Sequence, residues 1–251
     1  MNQLLAVKDV TKKFGGKTVV SHMNFSNNKG EMIGFIGPNG AGKSTTINMI
    51  STILAVDHGR ILFKGKDISS DSSNYKNSLG VVPQDLAIYE DLNAYDNVEF
   101  FCSLYGIRDK MLKCKVEQAL CFVGLWDRRK DLPSKFSGGM KRRLNIACAI
   151  AHEPQLLIMD EPTVGIDPQS RNHILEAVRK LNAKGTTVIY TSHYMEEIDA
   201  LCNRIILIDK GQILEDLPKK DYESKYKSVG CNTLEDIFLY TTGTDLRDME
   251  G

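Results

Sequence analysis

One glycine-rich segment of the sequence has residue types that suit phosphate chemistry. It reads GPNGAGKST from Gly37 to Thr45 and fits the P-loop pattern GxxxxGK(S/T). An apolar run that predicts a strand, Glu31–Ile36, precedes it, and a predicted helix, Lys43–Ile53, follows it. Glycines let backbone N–H groups curl around phosphate oxygens, and the helix directs the positive end of its dipole at the same anion. The segment therefore predicts a phosphate cradle.

Two side chains of the cradle have separate predicted roles. Lys43 can reach the β- and γ-phosphates, and the Ser44 hydroxyl can ligate Mg²⁺. The whole cradle consists of Gly37, Pro38, Asn39, Gly40, Ala41, Gly42, Lys43, Ser44 and Thr45. A cradle alone does not separate ATPases, GTPases and kinases, but the sequence has no guanine-reading NKxD stretch of the kind that a GTPase needs.

A pair of acidic residues follows another apolar run. Leu156–Glu161 reads LLIMDE, so four apolar residues of a predicted buried strand lead into Asp160 and Glu161. Ligands of α/β sheets bind at the carboxyl ends of the strands. Asp160 would hold Mg²⁺ through water, and Glu161 would orient and polarise the attacking water of a phosphoryl transfer. Positioning and charge neutralisation dominate such a reaction.

Composition excludes several other classes of protein. The chain has 251 residues, with 32 basic and 32 acidic side chains. This balance argues against a nucleic-acid coat or a polybasic membrane binder. The six cysteines form no CxxC pair, and no Cys/His cluster has zinc-site spacing, so we expect reduced thiols, several of them in the core.

Membrane segments are not expected either. No apolar run approaches the ~20 residues that span a bilayer, and Met1–Lys13 lacks the apolar centre of a signal peptide. If the protein works at a membrane, another chain must supply the spans.

The elements that position these residues alternate between strands and helices, which favours a parallel sheet with helices on both faces. The predicted strands are Leu4–Phe14, Thr18–Phe25, Glu31–Ile36, Gly59–Lys64, Gly80–Val82, Leu156–Asp160, Thr186–Thr191 and Arg204–Asp209. The predicted helices are Lys43–Ile53, Asn93–Tyr105, Asp109–Val123, Gly138–Ala151, Pro168–Asn182 and Met195–Cys202.

We expect an α/β core formed by residues 1–84 and 153–217, with a mostly helical block, 85–152, inserted into it. The tail, 218–251, is less regular apart from a short amphipathic stretch at Leu234–Tyr240. Ser69–Ser73 is interpreted as a polar loop.

Five further stretches resemble motifs of ATP-binding cassette (ABC) proteins, in the order of that family. Phe136–Met140 reads FSGGM and resembles the LSGGQ signature. Gln84 in VVPQD matches the glutamine loop of the family, and Val164–Asp167 matches the loop between protomers. His193 in YTSHYMEE matches the switch histidine, and Phe14 in KKFGG matches the aromatic residue that stacks on adenine. The resemblance covers nearly the whole chain. It is closest to ATPase subunits of drug-resistance and ABC-2-type exporters, through EPTVGIDPQSR and SHYMEEIDALCNRIILIDKG.

The resemblance implies a P-loop NTPase fold with a mainly parallel sheet, an N-terminal antiparallel β part and an inserted helical subdomain that carries the signature. It implies an ATP-binding, ATP-hydrolysing subunit that powers transport, by likeness export, through a separate integral membrane permease. The implied cofactors are ATP and Mg²⁺. The implied metal ligands are Ser44, Gln84 and Asp160, and the implied catalytic residues are Glu161, His193, Gln84 and Lys43.

The same resemblance implies two ATP-binding domains, alike or different, that face each other head to tail. ATP in the cradle of one would be closed over by Ser137, Gly138, Gly139 and Asp167 of the other. The protein would lie on the cytoplasmic face of the cell membrane, with no nucleic-acid partner. Met140 replaces the usual glutamine and removes a polar group near the γ-phosphate.

Plainer interpretations exist for single motifs. Ser137 could only cap a helix, Phe14 could belong to the core, and Lys141–Arg143 could be a solvated helix face. Two other functions stay open. One is a soluble ABC ATPase acting on nucleic acid or ribosomes, although the chain shows no sustained heptads and only one P-loop. The other is a module in which nucleotide is merely structural, against which the intact Lys43 and Glu161 argue.

Overall fold

The computed structural model describes residues 3–243, which divide into two compact units. Within the described residues, the first unit comprises 3–75 and 187–243, and the second comprises Lys76–Thr186. The end of the expected C-terminal tail, 244–251, lies outside the described residues.

The strands are β1 (Gln3–Phe14), β2 (Lys17–Asn28), β3 (Met32–Ile36), β4 (His58–Phe63), β5 (Lys66–Asp67), β6 (Leu79–Val82), β7 (Leu156–Asp160), β8 (Thr187–Thr191), β9 (Arg204–Asp209) and β10 (Gln212–Pro218). The helices are α1 (Lys43–Ile50), α2 (Ser72–Asn77), α3 (Ala94–Ser103), α4 (Asp109–Phe122), α5 (Gly138–Ile150), α6 (Pro168–Ala183), α7 (Met195–Leu201), α8 (Lys219–Lys227) and α9 (Leu234–Thr242). Within residues 3–243, no helix combines the length and the apolar character needed to cross a bilayer.

The first unit contains an antiparallel sheet and a mainly parallel group of strands. The antiparallel sheet has the order β2-β1-β4-β5. In the other group β3 lies between β8 and β9 and is parallel to both, while β10 returns antiparallel to β9. Every residue of β3 and β8 is buried. Such continuous apolar runs are typical of parallel strands that are covered on both faces.

The second unit contains the parallel pair β6 and β7 and the helices around it. Leu79 lies opposite Leu156, and Val82 lies opposite Met159. The helices α3, α4 and α5 pack on one another. The Asn93 side chain caps α3 by accepting the Asp96 N–H at 2.9 Å, which fixes where this helix begins.

Four elements, β5, α2, β10 and α8, lie where we expected no regular structure. The prediction of a polar loop at Ser69–Ser73 is wrong from Ser72 onwards, because α2 begins there. Tyr75 holds this short helix: it is buried, and its hydroxyl donates to the Ile50 carbonyl at 2.7 Å. Tertiary packing thus overrides weak helix propensity. The stretch after Asp209 forms β10, and α8 follows because Tyr222 is buried completely.

His152 holds the start of β6. Its Nε2–H donates to the Leu79 carbonyl at 3.0 Å, and its ring stacks on Tyr105 with 3.6 Å between ring centroids. Its Nδ1 is buried and has no hydrogen-bond partner among the described residues. Burial lowers the pKa of His152 to about 4, an effect that the Leu79 carbonyl opposes. The imidazole is therefore neutral at physiological pH.

This histidine should make stability depend on pH. The unfolded chain takes up the proton near pH 6.5, whereas the folded chain takes it up only near pH 4. The contribution of His152 to the free energy of unfolding should therefore be fully present above pH 6.5. It should fall as the pH drops towards 4, by on the order of 2–3 kcal/mol from this residue.

Urea denaturation of the wild type and of His152→Gln at pH 7 and pH 5 measures the effect. His173→Gln, at an exposed histidine of α6, is the matched control. The fall should shrink only in His152→Gln, and an equal fall in all three proteins would contradict the assignment.

Candidate functional site

The phosphate cradle lies between β3 and α1. Gly42 immediately precedes α1 with φ 100°, a left-handed conformation that side chains rarely adopt, and it gives the helix no side-chain cap. A Cβ added there would approach the Val19 carbonyl oxygen to 3.1 Å. The N–H groups at the start of α1 lack intrahelical acceptors, so they are available to an anion.

The two functional side chains of the cradle differ in burial. Lys43 is only 7% exposed, and its Nζ donates to the Gly37 carbonyl at 2.7 Å and to the Pro38 carbonyl at 3.1 Å. The ammonium therefore lies across the loop that it would serve. Ser44 is exposed, and its hydroxyl makes no hydrogen bond to any residue between 3 and 243. That hydroxyl is accessible to a metal ion.

The parallel pairing of β3 and β8 places His193 at the edge of the sheet where the cradle begins. Gly34 lies opposite Tyr190, so both strands end at the same edge. The cradle follows β3, and His193 follows β8 and is exposed. Phe14 closes the β1–β2 hairpin and is 46% exposed, with Lys12 Nζ 5.5 Å from its ring centroid. Phe14 is thus a surface aromatic residue; the alternative that it belongs to the core is wrong.

A buried carboxylate behind His193 escaped the sequence analysis. Glu197 is fully buried and accepts the hydroxyls of Tyr190 and Ser192, each at 2.8 Å. The Ser192 hydroxyl in turn accepts the Tyr194 N–H at 3.0 Å. Both neighbours of His193 are anchored in this way. The only signal was the acid pair in SHYMEE, which resembles ordinary acids at a helix N-terminus.

In the second unit, the parallel pair β6 and β7 places two more candidates at one edge. Gln84 lies two residues beyond β6 and is exposed, and Glu161 directly follows β7. Asp160 is half-buried, whereas Glu161 is 8% exposed. Glu161 also has φ 47°. Few residues other than glycine occupy this region, and such strain clusters at functional sites.

The signature motif begins a helix. Ser137 caps α5 by accepting the Met140 N–H at 3.3 Å, and Gly138 and Gly139 are its first two residues. A Cβ on Gly139 would collide with the Ser170 side chain, so only glycine fits.

Asp167 caps the neighbouring helix α6. It accepts the Ser170 N–H at 2.9 Å, a bond that lowers the pKa of its carboxyl. Since Ser170 is also the residue against which Gly139 packs, the N-termini of α5 and α6 lie side by side.

The interpretation of Lys141–Arg143 as a solvated helix face is wrong. Arg142 is only 4% exposed, and its guanidinium donates to the Pro83 and Gln84 carbonyls at 2.7 and 2.5 Å. Arg143 is half-buried and donates to the Val123 carbonyl at 2.8 Å. Basic side chains are usually solvated, but a guanidinium that donates hydrogen bonds to carbonyl oxygens can be buried.

Comparison with known proteins identifies the family. The profile of the family described as "ABC transporter" matches residues 20–164. The linearmycin resistance ATP-binding protein LnrL of Bacillus subtilis strain 168 is 50% identical over 222 residues, which is 88% of this chain and 71% of that protein. The chain belongs to the ABC transporter family.

Further similarities agree with this membership. The Nod factor export ATP-binding protein I of Sinorhizobium fredii is 36% identical over 233 residues, 92% of this chain and 67% of that protein. A solved structure, described as the ATP binding subunit of an ABC transporter, matches with a TM-score of 0.86 at 28% identity and covers 95% of this chain and 99% of that chain. The resemblance inferred from the motifs and the expected P-loop NTPase fold are confirmed. The chain is an ATP-binding ATPase that powers transport.

The cradle lysine of this ABC ATPase should matter more for ATP than for folding. Lys43→Ala removes the charge that we predict to meet phosphate, and we expect the Kd for ATP to rise at least tenfold, equivalent to about 1.4 kcal/mol. Thr46→Ala is the control, because it removes a hydroxyl that donates 2.9 Å to the Gly42 carbonyl without removing charge.

Titration with a fluorescent ATP analogue and thermal melting compare the variants. The control should change the Kd by less than about threefold. An unchanged Kd in Lys43→Ala would remove this lysine from the site.

Proposed function

We propose that the chain is the ATPase subunit of an exporter and acts at the cytoplasmic face of the cell membrane through a separate integral membrane permease. The 50% identity to a linearmycin resistance protein over most of the chain carries this proposal. A second relative is named for Nod factor export. By its likeness to drug-resistance and ABC-2-type exporters, the cargo would be a drug, a lipid-like compound or an antibiotic.

The residues present fit Mg²⁺ as well as ATP. Ser44, Gln84 and Asp160 offer a hydroxyl, an amide and a carboxylate, and Mg²⁺ prefers such oxygen ligands together with phosphate oxygens and water. The side chains of Ser44 and Gln84 are exposed, and neither hydrogen-bonds to a residue that the structure describes. When bound, the ion would neutralise charge on the phosphates.

The protein's own side chains divide the remaining work. Glu161 orients and polarises the attacking water, and Lys43 stabilises charge that develops on the β- and γ-phosphates. His193 contacts the γ-phosphate from the loop that Glu197 anchors. Phe14 stacks on the adenine ring through its exposed face.

The signature motif acts on the nucleotide of a partner. The first N–H groups of α5 and the Ser137 hydroxyl offer several hydrogen-bond donors, and Ser137 and Gly138 are exposed. By the family resemblance, the N–H groups of Gly138 and Gly139 would bind the γ-phosphate of ATP held by a second ATP-binding domain, identical or different, which completes each site.

The permease docks on the helical subdomain, for which we retain the bounds 85–152, inserted into the core 1–84 and 153–217. An aromatic cluster supports this. Tyr89 packs edge-on against Phe100 and stacks on Phe101, at centroid distances of 5.1 and 5.8 Å. Leu86, Tyr89, Phe100 and Leu104 are all exposed. Exposed apolar patches of this kind mark protein interaction sites.

The competing function, a soluble ABC ATPase acting on nucleic acid or ribosomes, has no support among these relatives. Detergent-solubilised membranes separate the two functions. The exporter subunit should co-purify with an integral membrane protein, and recovery with ribosomes or nucleic acid instead would overturn the proposal.

Glu161→Gln should bind ATP but lose hydrolysis, since the amide keeps the shape of the side chain without its basicity. We expect steady-state turnover to fall at least about 100-fold, with the Kd for ATP within about threefold. Glu176→Gln, at an exposed residue of α6, is the matched control and should keep wild-type turnover. Near-normal turnover of Glu161→Gln would remove this residue as the base.

The same variant tests the shared site. Glu161→Gln should dimerise when Mg-ATP is added, because it holds the nucleotide without cleaving it. Adding Ser137→Arg should abolish the dimer while leaving the ATP affinity of the monomer nearly intact, since the new side chain fills the contact. Ser134→Arg, at an exposed position three residues earlier, should leave the dimer in place.

Size-exclusion chromatography with and without Mg-ATP gives the result. Dimerisation of the Glu161→Gln/Ser137→Arg protein would contradict the shared site. A Glu161→Gln protein that stays monomeric would exclude a homodimer under these conditions and favour an unlike partner domain.

A further inference from the structure

The loop that carries Gln84 is held by buried polar side chains from two helices. At its far end Asn97 of α3, which is fully buried, accepts the Tyr89 N–H at 2.8 Å and donates to the Tyr89 and Leu92 carbonyls at 2.9 and 2.8 Å. At its near end Arg142 of α5 donates to the Pro83 and Gln84 carbonyls. The residues between these anchors are mostly exposed.

The two carbonyls that Arg142 bonds belong to the peptide planes on either side of the Gln84 Cα. Only φ and ψ are soft in the backbone, so holding both planes fixes the direction of the Gln84 Cα–Cβ bond. The side-chain amide itself is exposed and makes no hydrogen bond to a described residue. Arg142 thus restrains the backbone and leaves the amide available for a ligand.

The strength of this restraint comes from burial and charge. Hydrogen bonds from a guanidinium to carbonyl oxygens are charge-assisted, and they gain strength away from water. Lys141 adds an ion pair with Glu90 at 2.8 Å, but both side chains are partly exposed, so this pair contributes little. Pro83 has no N–H with which to extend the pairing of β6, and its carbonyl accepts a hydrogen bond from the Arg142 guanidinium.

We infer that Arg142 is the positioning residue for Gln84, and that it ties the Gln84 backbone to the helix that begins with the signature. This inference rests on the proposed role of Gln84 as a Mg²⁺ ligand. Arg142 lies four residues after Gly138, about 6 Å along α5. The N-terminus of α5 and the Gln84 backbone therefore form one connected piece, and a displacement of the signature helix displaces Gln84 as well.

Mg²⁺ dependence of hydrolysis separates positioning from general stability. Arg142→Met keeps much of the side-chain volume and removes both hydrogen bonds. We expect kcat to fall about tenfold or more and the half-saturating Mg²⁺ concentration to rise at least about threefold. Loss of a residue that positions a metal ligand commonly weakens metal binding and activity to this extent. The Kd for ATP measured in EDTA should stay unchanged, because Gln84 then has no metal to hold.

Arg143→Met is the matched control. Arg143 is the next residue of the same helix and also donates to backbone carbonyls, but at Val123 and Gly124. It should lower thermal stability without raising the Mg²⁺ requirement. If Arg142→Met does not fold, Arg142→Lys replaces it, since an ammonium keeps the charge but not the two-pronged geometry.

A double-mutant cycle with Gln84→Ala decides whether Arg142 acts through Gln84. The double variant should lose no more than Gln84→Ala alone. Losses that multiply, or an equal rise in Mg²⁺ requirement in Arg143→Met, would overturn the inference and leave the proposed function intact. An unchanged Mg²⁺ requirement in Gln84→Ala itself would count against Gln84 as a ligand, and so against both.

Discussion

Parallel strand pairing is the constraint on which the arrangement of candidate residues depends. Two strands that run in the same direction end at the same edge, so whatever follows each strand is brought to that edge. In the first unit, β3 and β8 bring together the cradle and His193. In the second, β6 and β7 do the same for Gln84 and the acidic pair at the end of β7. Chemistry-bearing loops far apart in sequence become neighbours because backbone hydrogen bonds set the register.

Strand pairing fixes where each loop starts but not the conformation of the loop. Buried polar side chains that hydrogen-bond to the loops fix that conformation. Glu197 anchors the residues on either side of His193, Asn97 anchors the far end of the Gln84 loop, and Arg142 anchors its near end. Such groups are expensive to bury without partners, so their hydrogen bonds are effectively obligatory. These hydrogen bonds hold the backbone of each loop in one conformation while its functional side chain stays exposed.

The difference between what the sequence could and could not predict follows from this division. Strands and helices that surround the cradle were predictable, because apolar periodicity and turn residues are local signals. The helices that were missed, α2 and α8, are polar segments held by buried tyrosines, Tyr75 in α2 and Tyr222 and Tyr226 in α8. One or two apolar residues set no clear hydrophobic period in a sequence. The exposed candidates Phe14, Gln84 and His193 could be named from motif order alone. Arg142 and Glu197 could not, because ordinary charged residues on helices resemble solvated ones until the fold encloses them.

The strained backbone of Glu161 and the close packing of Gly139 lie at the two ends of one short stretch of structure. A left-handed glutamate costs on the order of 1–3 kcal/mol and persists only where its surroundings enforce it. Here β7 enforces it from one side, and the hydrogen bond from the Val164 N–H to the Glu161 carbonyl, at 3.3 Å, closes the turn on the other. The same loop then leads to Asp167, whose helix leaves no room for a side chain on Gly139. Glu161 and the signature motif are thus connected through one short, tightly packed segment. A movement of the signature helix would therefore be transmitted through this segment to Glu161. In the proposed shared site, this is the route by which the nucleotide of a partner domain would affect the geometry around Glu161.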